Sequence, residues 1–356
     1  MRIRTNPVAK VQCIVDGEVF SVSGAASVLE LLRRIGRGNV HHGDLKGGSE
    51  GSLCGTGGCW SCAVLIDGEL SRSCVTPLRQ GMEIVTGGVA LRQVEPRRIV
   101  TAMRPHPHRH PTLFVHGCNY HCGSCHNWDM TFASSGRALN PSEAVSMLHL
   151  DAQNDYWVGI SGGEPTLNRR WLVKTVGEIR KNFPGMRIQL DTNASLLTSD
   201  YIDELAQAGI TDISPDLKAW HLETFMALCG IKSRKIARNY LDTSWKAVRY
   251  LREAYHSRIF TAVSLPYHPR IHSLQELRGA ARAIAAIDRD MPVTLIEYQP
   301  AFRLRDWPFI GMDEMEEARR SLESSGLHRV IVQGGPDLPV AVDPLELALG
   351  SEEFDL

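Results

Sequence analysis

Apolar and polar residues follow two rhythms along this chain. Between residues 10 and 86 the pattern is short and alternating. "VQCIVDGEVFSV" reads as strand, Asp-Gly turn, strand, because that dipeptide accepts the positive φ angles of a tight hairpin. "SVLELLRRIG" then sets apolar residues at helical spacing, with Gly36 as a stop. A glycine-rich stretch, "GDLKGGSEGSLCGTGGCWSC", leads to a second strand pair, "AVLIDGELSRSC", and "MEIVTG" closes a small α+β unit. Next comes "EPRRIVTAMRPHPHRHP", where Pro96, Pro105, Pro107 and Pro111 discourage regular structure and mark a linker. His106, His108, Arg109 and His110 alternate with these prolines, which favours solvated side chains over a metal site.

From residue 112 strands and helices alternate. "TLFVHG", "YWVGIS", "RIQLDT", "ITDISPDL", "RIFTAVSLPY" and "PVTLIEYQP" are β-rich and largely apolar, as strands buried on both faces must be. Between them, "NPSEAVSMLHL" opens with Asn140, Pro141 and Glu143, a capping pattern. "SDYIDELAQAG", "TSWKAVRYLREAY" and "SLQELRGAARAIAAID" are further helices. A seventh strand, "HRVIVQG", follows the helix at "MDEMEEARRSLESSG". Repeated βα units predict an α/β fold, a partial (β/α)6 barrel behind the small α+β domain. The expected organisation is 1–95, a linker at 96–111, the barrel at 112–340 and a C-terminal tail at 341–356.

Composition changes this picture little. The chain has 356 residues, 43% hydrophobic and 22% charged, with a formal net charge of -1. That balance argues against nucleic acid as the main partner. No run of 18 apolar residues suggests a membrane span, and no signal peptide is evident, so the expected location is cytoplasmic. The nine cysteines matter more, because they are clumped. Cys54, Cys59, Cys62 and Cys74 form one group; Cys118, Cys122 and Cys125 form another. Without an export signal, clumped cysteines read as metal ligands rather than disulfides. Cys13 and Cys229 read as buried free thiols.

The chemistry-bearing residues recur at the C-terminal strand ends, where βα barrels place their sites. The triple-cysteine loop follows the first strand. "SGGEP" follows the second, "DTN" the third, "SPDLK" the fourth, "LPYH" the fifth and "EYQP" the sixth. Three thiolates with His116, His121 or His126 would close a structural zinc site. Three thiolates alone would leave one iron of a cluster open to a ligand. Glycines at 162 and 163 let a ligand approach the backbone, and Glu164 offers a carboxylate to an ammonium group.

Residues 112 to 333 resemble the radical S-adenosylmethionine (SAM) superfamily on "GCNYHCGSCHN", "SGGEPTL", "DTN" and "DLKAW", in a setting similar to the glycyl-radical-enzyme activases, such as that of pyruvate formate-lyase. "LCG" at 228–230 and "YQPAFRLRDWP" at 298–308 resemble the activase-like branch known as AmmeMemoRadiSam. The resemblance implies a 4Fe–4S cluster on Cys118, Cys122 and Cys125, with SAM on its open iron. It implies that Gly162, Gly163 and Glu164 contact the methionyl amine. It further implies that Asp191, Thr192, Asn193, Asp216 and Lys218 line the cofactor site, the first two and Asp216 beside a monovalent cation. "LPYH" falls one strand earlier than in the activases, so no role passes to His268. Cys54, Cys59 and Cys62 have plant-type ferredoxin spacing. Their loop resembles the β-grasp 2Fe–2S domain of the succinate dehydrogenase iron–sulfur subunit, which implies that Cys74 completes a 2Fe–2S site; a zinc ribbon would show two CxxC knuckles.

The expected function is reductive cleavage of SAM and hydrogen abstraction from a protein or other substrate. A low-potential donor would supply electrons through the 2Fe–2S domain, which the linker lets dock over the rim or swing away. The rival readings are a two-cluster electron carrier without catalysis and a zinc-stabilised binding module.

Overall fold

A computed structural model describes residues 10–37, 54–104, 110–132, 135–151 and 153–334. The glycine-rich segment before Cys54, the linker residues His106, His108 and Arg109, and the tail at 341–356 lie outside the described residues.

The N-terminal unit is a five-stranded sheet with the order β2-β1-β5-β3-β4. β1 (Lys10–Val15) and β2 (Glu18–Ser23) pair antiparallel, as do β3 (Ala63–Ile66) and β4 (Glu69–Arg72). Both hairpins turn on the expected Asp-Gly pairs, with φ of 48° and 85° at Asp16 and Gly17 and 51° and 85° at Asp67 and Gly68. β5 (Glu83–Val85) runs parallel to β1, and the helix Val28–Arg34 buries Val28, Leu31 and Leu32 against Val64, Met82 and Ile84.

The barrel strands are β7 (Thr112–Val115), β9 (Trp157–Gly162), β10 (Arg187–Thr192) and β11 (Asp212–Pro215), all parallel neighbours. The fifth strand is split at Ala262. β12 (Phe260–Thr261) stays on β11, while β13 (Val263–Tyr267) joins β14 (Val293–Glu297) and β15 (Val330–Gln333). A parallel bridge from Asp216 to Ser264 links the two sheets. Leu113, Val158, Ile160, Leu190 and Ile213 point to a core completed by Trp171, Leu172 and Val176 of the helix Arg169–Asn182. Each such fully buried side chain contributes about 2–3 kcal/mol.

The linker expectation needs correction. Arg98–Met103 is a strand, β6, which pairs antiparallel with β7 and also carries the short β8 (Ala138–Leu139). Its "RIVTAM" core is β-competent, and only the flanking prolines break it. His110 is half-buried and stacks on Trp157 at 4.7 Å rather than standing in solvent. The tryptophans are also less internal than their number suggests: only Trp157 and Trp171 are buried, and Trp128 and Trp220 are exposed.

Candidate active site

Two loops meet backbone to backbone at the end of β7 and β9. The Gly163 N–H donates to the Val115 carbonyl at 2.8 Å, and the Glu164 N–H to the Gly117 carbonyl at 2.9 Å. A Cβ on Gly163 would lie 2.2 Å from the Gly117 oxygen, so no other residue permits the approach. The Gly-Gly pair therefore serves first to seat the cysteine loop on the strand end, a reason the sequence reading did not contain.

That loop carries Cys118, Cys122 and Cys125, and all three line one cavity of about 540 Å³. The Tyr120 N–H donates to Cys118 Sγ at 3.3 Å, and Asn193 Nδ2 approaches it at 3.8 Å. Burial pushes the Cys118 and Cys125 thiols up, whereas a hydrogen bond with Cys229 draws Cys122 down. Among the described residues, no three His, Cys, Asp or Glu side chains form a group fitted to one metal ion. His116 bonds Thr101 Oγ1 at 2.9 Å, and His121 stacks on Phe132.

Gly162, Gly163, Asp191, Thr192, Asn193, Asp216 and Lys218 line the same cavity, brought together by the ends of β9, β10 and β11. Glu164 does not. Its carboxylate is fully buried, accepting from Thr166 N and Thr192 Oγ1 at 2.9 and 2.6 Å and from Asn193 N at 2.7 Å. Burial raises its pKa, and these donors oppose the rise. Through these bonds the carboxylate clamps the 191–193 loop. Lys218 pairs with Asp216; burial opposes its charge, but Asp216 and Cys122 outweigh burial and hold the pKa above the ordinary lysine value. Gln189 Nε2 donates to Asp191 at 2.8 Å. The protein's own ammonium thus supplies part of the counter-charge for the carboxylates at the ends of β10 and β11. Asp216 lines the cavity, and its Oδ1 is buried with no protein partner among the described residues, an unsatisfied acceptor at the cavity's edge.

The first cysteine group is built differently. Cys54, Cys59 and Cys62 are buried and Cys74 is half-buried. Their thiols meet in pairs, Cys54 with Cys59 and Cys62 with Cys74; the bond from Cys59 lowers Cys54, and the bond to Cys74 raises Cys62. The group packs on the barrel's cysteine loop. A Cβ on Gly117 would lie 2.9 Å from Cys54 Sγ, and one on Gly58 would lie 2.8 Å from the His116 backbone. Asn168 Nδ2 donates to the Cys59 carbonyl at 3.0 Å, and Ser61 Oγ to the Leu167 carbonyl at 2.5 Å.

Comparison with known families bears on what these two groups hold. Residues 112–276 match the radical SAM superfamily, and residues 8–89 match the 2Fe–2S iron–sulfur cluster binding domain. The chain carries a radical SAM domain. That domain implies a 4Fe–4S cluster and SAM, and the N-terminal match implies a 2Fe–2S cluster. A probable GTP 3′,8-cyclase of Thermoplasma volcanium is 36% identical over 33% of this chain and 35% of its own length. An uncharacterized protein of Methanocaldococcus jannaschii is 29% identical over 60% of each. The chain therefore spans about a third of the first relative and under two thirds of the second. A domain of pyruvate-formate lyase-activating enzyme from Bacteroides vulgatus superposes with a TM-score of 0.40 at 17% identity, covering 50% of this chain and 98% of that one.

Three further features stand around the cysteine loop and the barrel rim. Cys229 is the buried free thiol expected, but it hydrogen-bonds Cys122, and its carbonyl accepts from His121 N at 2.8 Å. The segment after β14 covers the cysteine loop: Tyr298 Oη accepts from Ser124 N at 2.9 Å, and Leu304 packs on Gly123. His268 is buried in a turn, where its Nδ1 accepts from Arg270 N at 3.2 Å and its ring meets Trp307 at 4.7 Å. No helix among the described residues is long and apolar enough to cross a membrane.

Proposed function

We propose that Cys118, Cys122 and Cys125 hold the 4Fe–4S cluster, that SAM binds beside it, and that a 2Fe–2S centre on Cys54, Cys59, Cys62 and Cys74 delivers the electron. The observation that carries this reading is one cavity lined by three thiols, two glycines and the unpaired Oδ1 of Asp216. When bound, these cofactors supply reductive cleavage of the sulfonium C–S bond, giving methionine and a 5′-deoxyadenosyl radical that takes hydrogen from a substrate. The chain's part is to bind, orient and exclude water. The Tyr120 amide donates toward Cys118 and favours its thiolate. Glu164 fixes the 191–193 loop, and Lys218 fixes Asp216, which would be placed to accept from a donor group of SAM. The 298–304 segment shields the cluster loop from water.

The contact of Cys54 with Gly117, next to Cys118, supports a short path for the electron. For the substrate we favour a protein, such as a glycyl radical enzyme, on the resemblance of "GCNYHCGSCHN" to activases; a small molecule is the alternative. A pure electron carrier would have no use for the polar cavity wall. Anaerobic protein with dithionite and SAM should yield 5′-deoxyadenosine, and Cys122→Ala should abolish it. Turnover that survives this change would overturn the assignment.

A further inference from the structure

Arg98, the first residue of β6, is completely buried between the two cysteine loops. Its Nη1 donates to the Pro165 carbonyl at 2.7 Å, and its Nη2 to the Glu164 and His116 carbonyls at 2.6 and 3.2 Å. Nε has no partner among the described residues. The Glu164 carboxylate is already committed to Thr166, Thr192 and Asn193, so the hydrogen bonds of Arg98 go only to carbonyl oxygens, with its guanidinium over the Trp171 ring at 5.9 Å. An uncompensated interior cation is costly, and a guanidinium cannot shed its proton to escape the cost. Negative charge has to come from a neighbour. Burial lowers the Arg98 pKa, and the groups that raise it again are Cys59, then Cys54 and only after them the Glu164 carboxylate. The loops around it are fixed: Ile99 N–H donates to the Gly58 carbonyl at 3.2 Å, and Asn168 Nδ2 spans the carbonyls of Cys59 and Arg97 at 3.0 and 3.1 Å.

A 2Fe–2S centre on four thiolates is a net anion, and reduction adds one more negative charge. We infer that Arg98 is the buried counter-charge of the 2Fe–2S centre, raises its reduction potential, and ties it to the Glu164 turn of the radical SAM domain through one guanidinium. The inference rests on the 2Fe–2S assignment to these cysteines and not on the centre's role as electron donor. A cation in a low-dielectric site favours the more negative redox state, so its removal must shift the couple to lower potential.

The test is an EPR-monitored redox titration of the full chain with both clusters and without SAM. Arg98→Gln should reduce the equilibrium constant for one-electron reduction of the 2Fe–2S centre at least tenfold, which is 59 mV more negative. Arg98→Lys, which keeps the charge, should stay within about threefold of wild type. An unchanged potential in Arg98→Gln overturns the proposal. If Arg98→Gln fails to assemble the centre, Arg98→Met gives the same reading with an apolar side chain of similar length. Assembly in Arg98→Lys but in neither neutral variant supports a required charge. Failure of Arg98→Lys as well overturns the proposal in favour of a carbonyl clamp. A wild-type chain with no 2Fe–2S signal would instead sink the underlying assignment.

Discussion

The two cysteine groups touch, yet they are built on opposite principles. The N-terminal group brings four thiols into a closed, largely buried nest in which each thiol faces another. The barrel group brings three half-buried thiols to the wall of a cavity that glycine backbone, carboxylate and ammonium also line. A closed anionic site can only gain or lose electrons. An open one can do so against a bound ligand. On the proposed assignment one chain separates electron storage from chemistry while holding the two groups in contact at Cys54 and Gly117.

The harshest way to break the comparison is to remove a ligand of the open site. Cys122→Ala should leave the 2Fe–2S spectrum in place and eliminate 5′-deoxyadenosine formation; retention of more than a trace would mean that the open group is not the reaction centre. The contact between the groups is attacked by Gly117→Ala. Gly117 has φ of +85°, and its new Cβ would lie 2.8 Å from Cys54 Cβ. Left-handed strain plus overpacking should cost about 3 kcal/mol, read as a lower denaturation midpoint together with slower electron transfer between the centres. A variant of unchanged stability would show that the loops are not pressed together.

The ligand-binding side is sharpened by Asp216→Ala. Loss of a charge-assisted hydrogen bond is worth roughly 1.5–3 kcal/mol, so SAM affinity should fall tenfold or more while iron content stays at the wild-type level. Concurrent loss of iron would make Asp216 a structural residue instead.

Much of the frame is legible in the residues alone. Asp16–Gly17 and Asp67–Gly68 specify their hairpins through φ, and Asn140 with Glu143 forms the reciprocal cap its spacing announces, each bond 2.9 Å long. The strand ends are legible because parallel strands are long apolar runs that stop at polar residues. Side-chain direction is not. Glu164 turns inward because Thr166 and Thr192 offer donors there, and nothing in "SGGEP" announces a residue 28 positions away. Arg98 and Cys229 escape for the same reason: an arginine among prolines and a cysteine at a helix end look ordinary until the fold brings them to the cysteine loops. The strand at 98–103 was hidden by the prolines on either side of it.

The smallest effect concerns that strand. Just beyond it, Arg104 makes a two-pronged pair with Asp155, both bonds 2.7 Å long. The hydrogen bond from Arg104 holds the Asp155 carboxyl at about 2. A depressed acid contributes stability that is fully present above the ordinary carboxyl value and lost as pH falls through the folded value. Asp155→Asn should therefore cost about 1–2 kcal/mol, allowing for solvent screening around Arg104, and by the same amount at pH 7 and pH 5. A urea-midpoint difference already gone at pH 5 would show that the pair does not hold β6 in place.

The most direct test of the central claim, that the closed group feeds the open one, is SAM cleavage by Cys59→Ser under two reductants. The variant should still assemble the barrel cluster. With dithionite, which reaches that cluster without help, it should form 5′-deoxyadenosine as wild type does. With a low-potential protein reductant such as reduced flavodoxin, it should lose cleavage. Equal activity with both reductants would contradict the account and leave the 2Fe–2S centre without a part in the reaction.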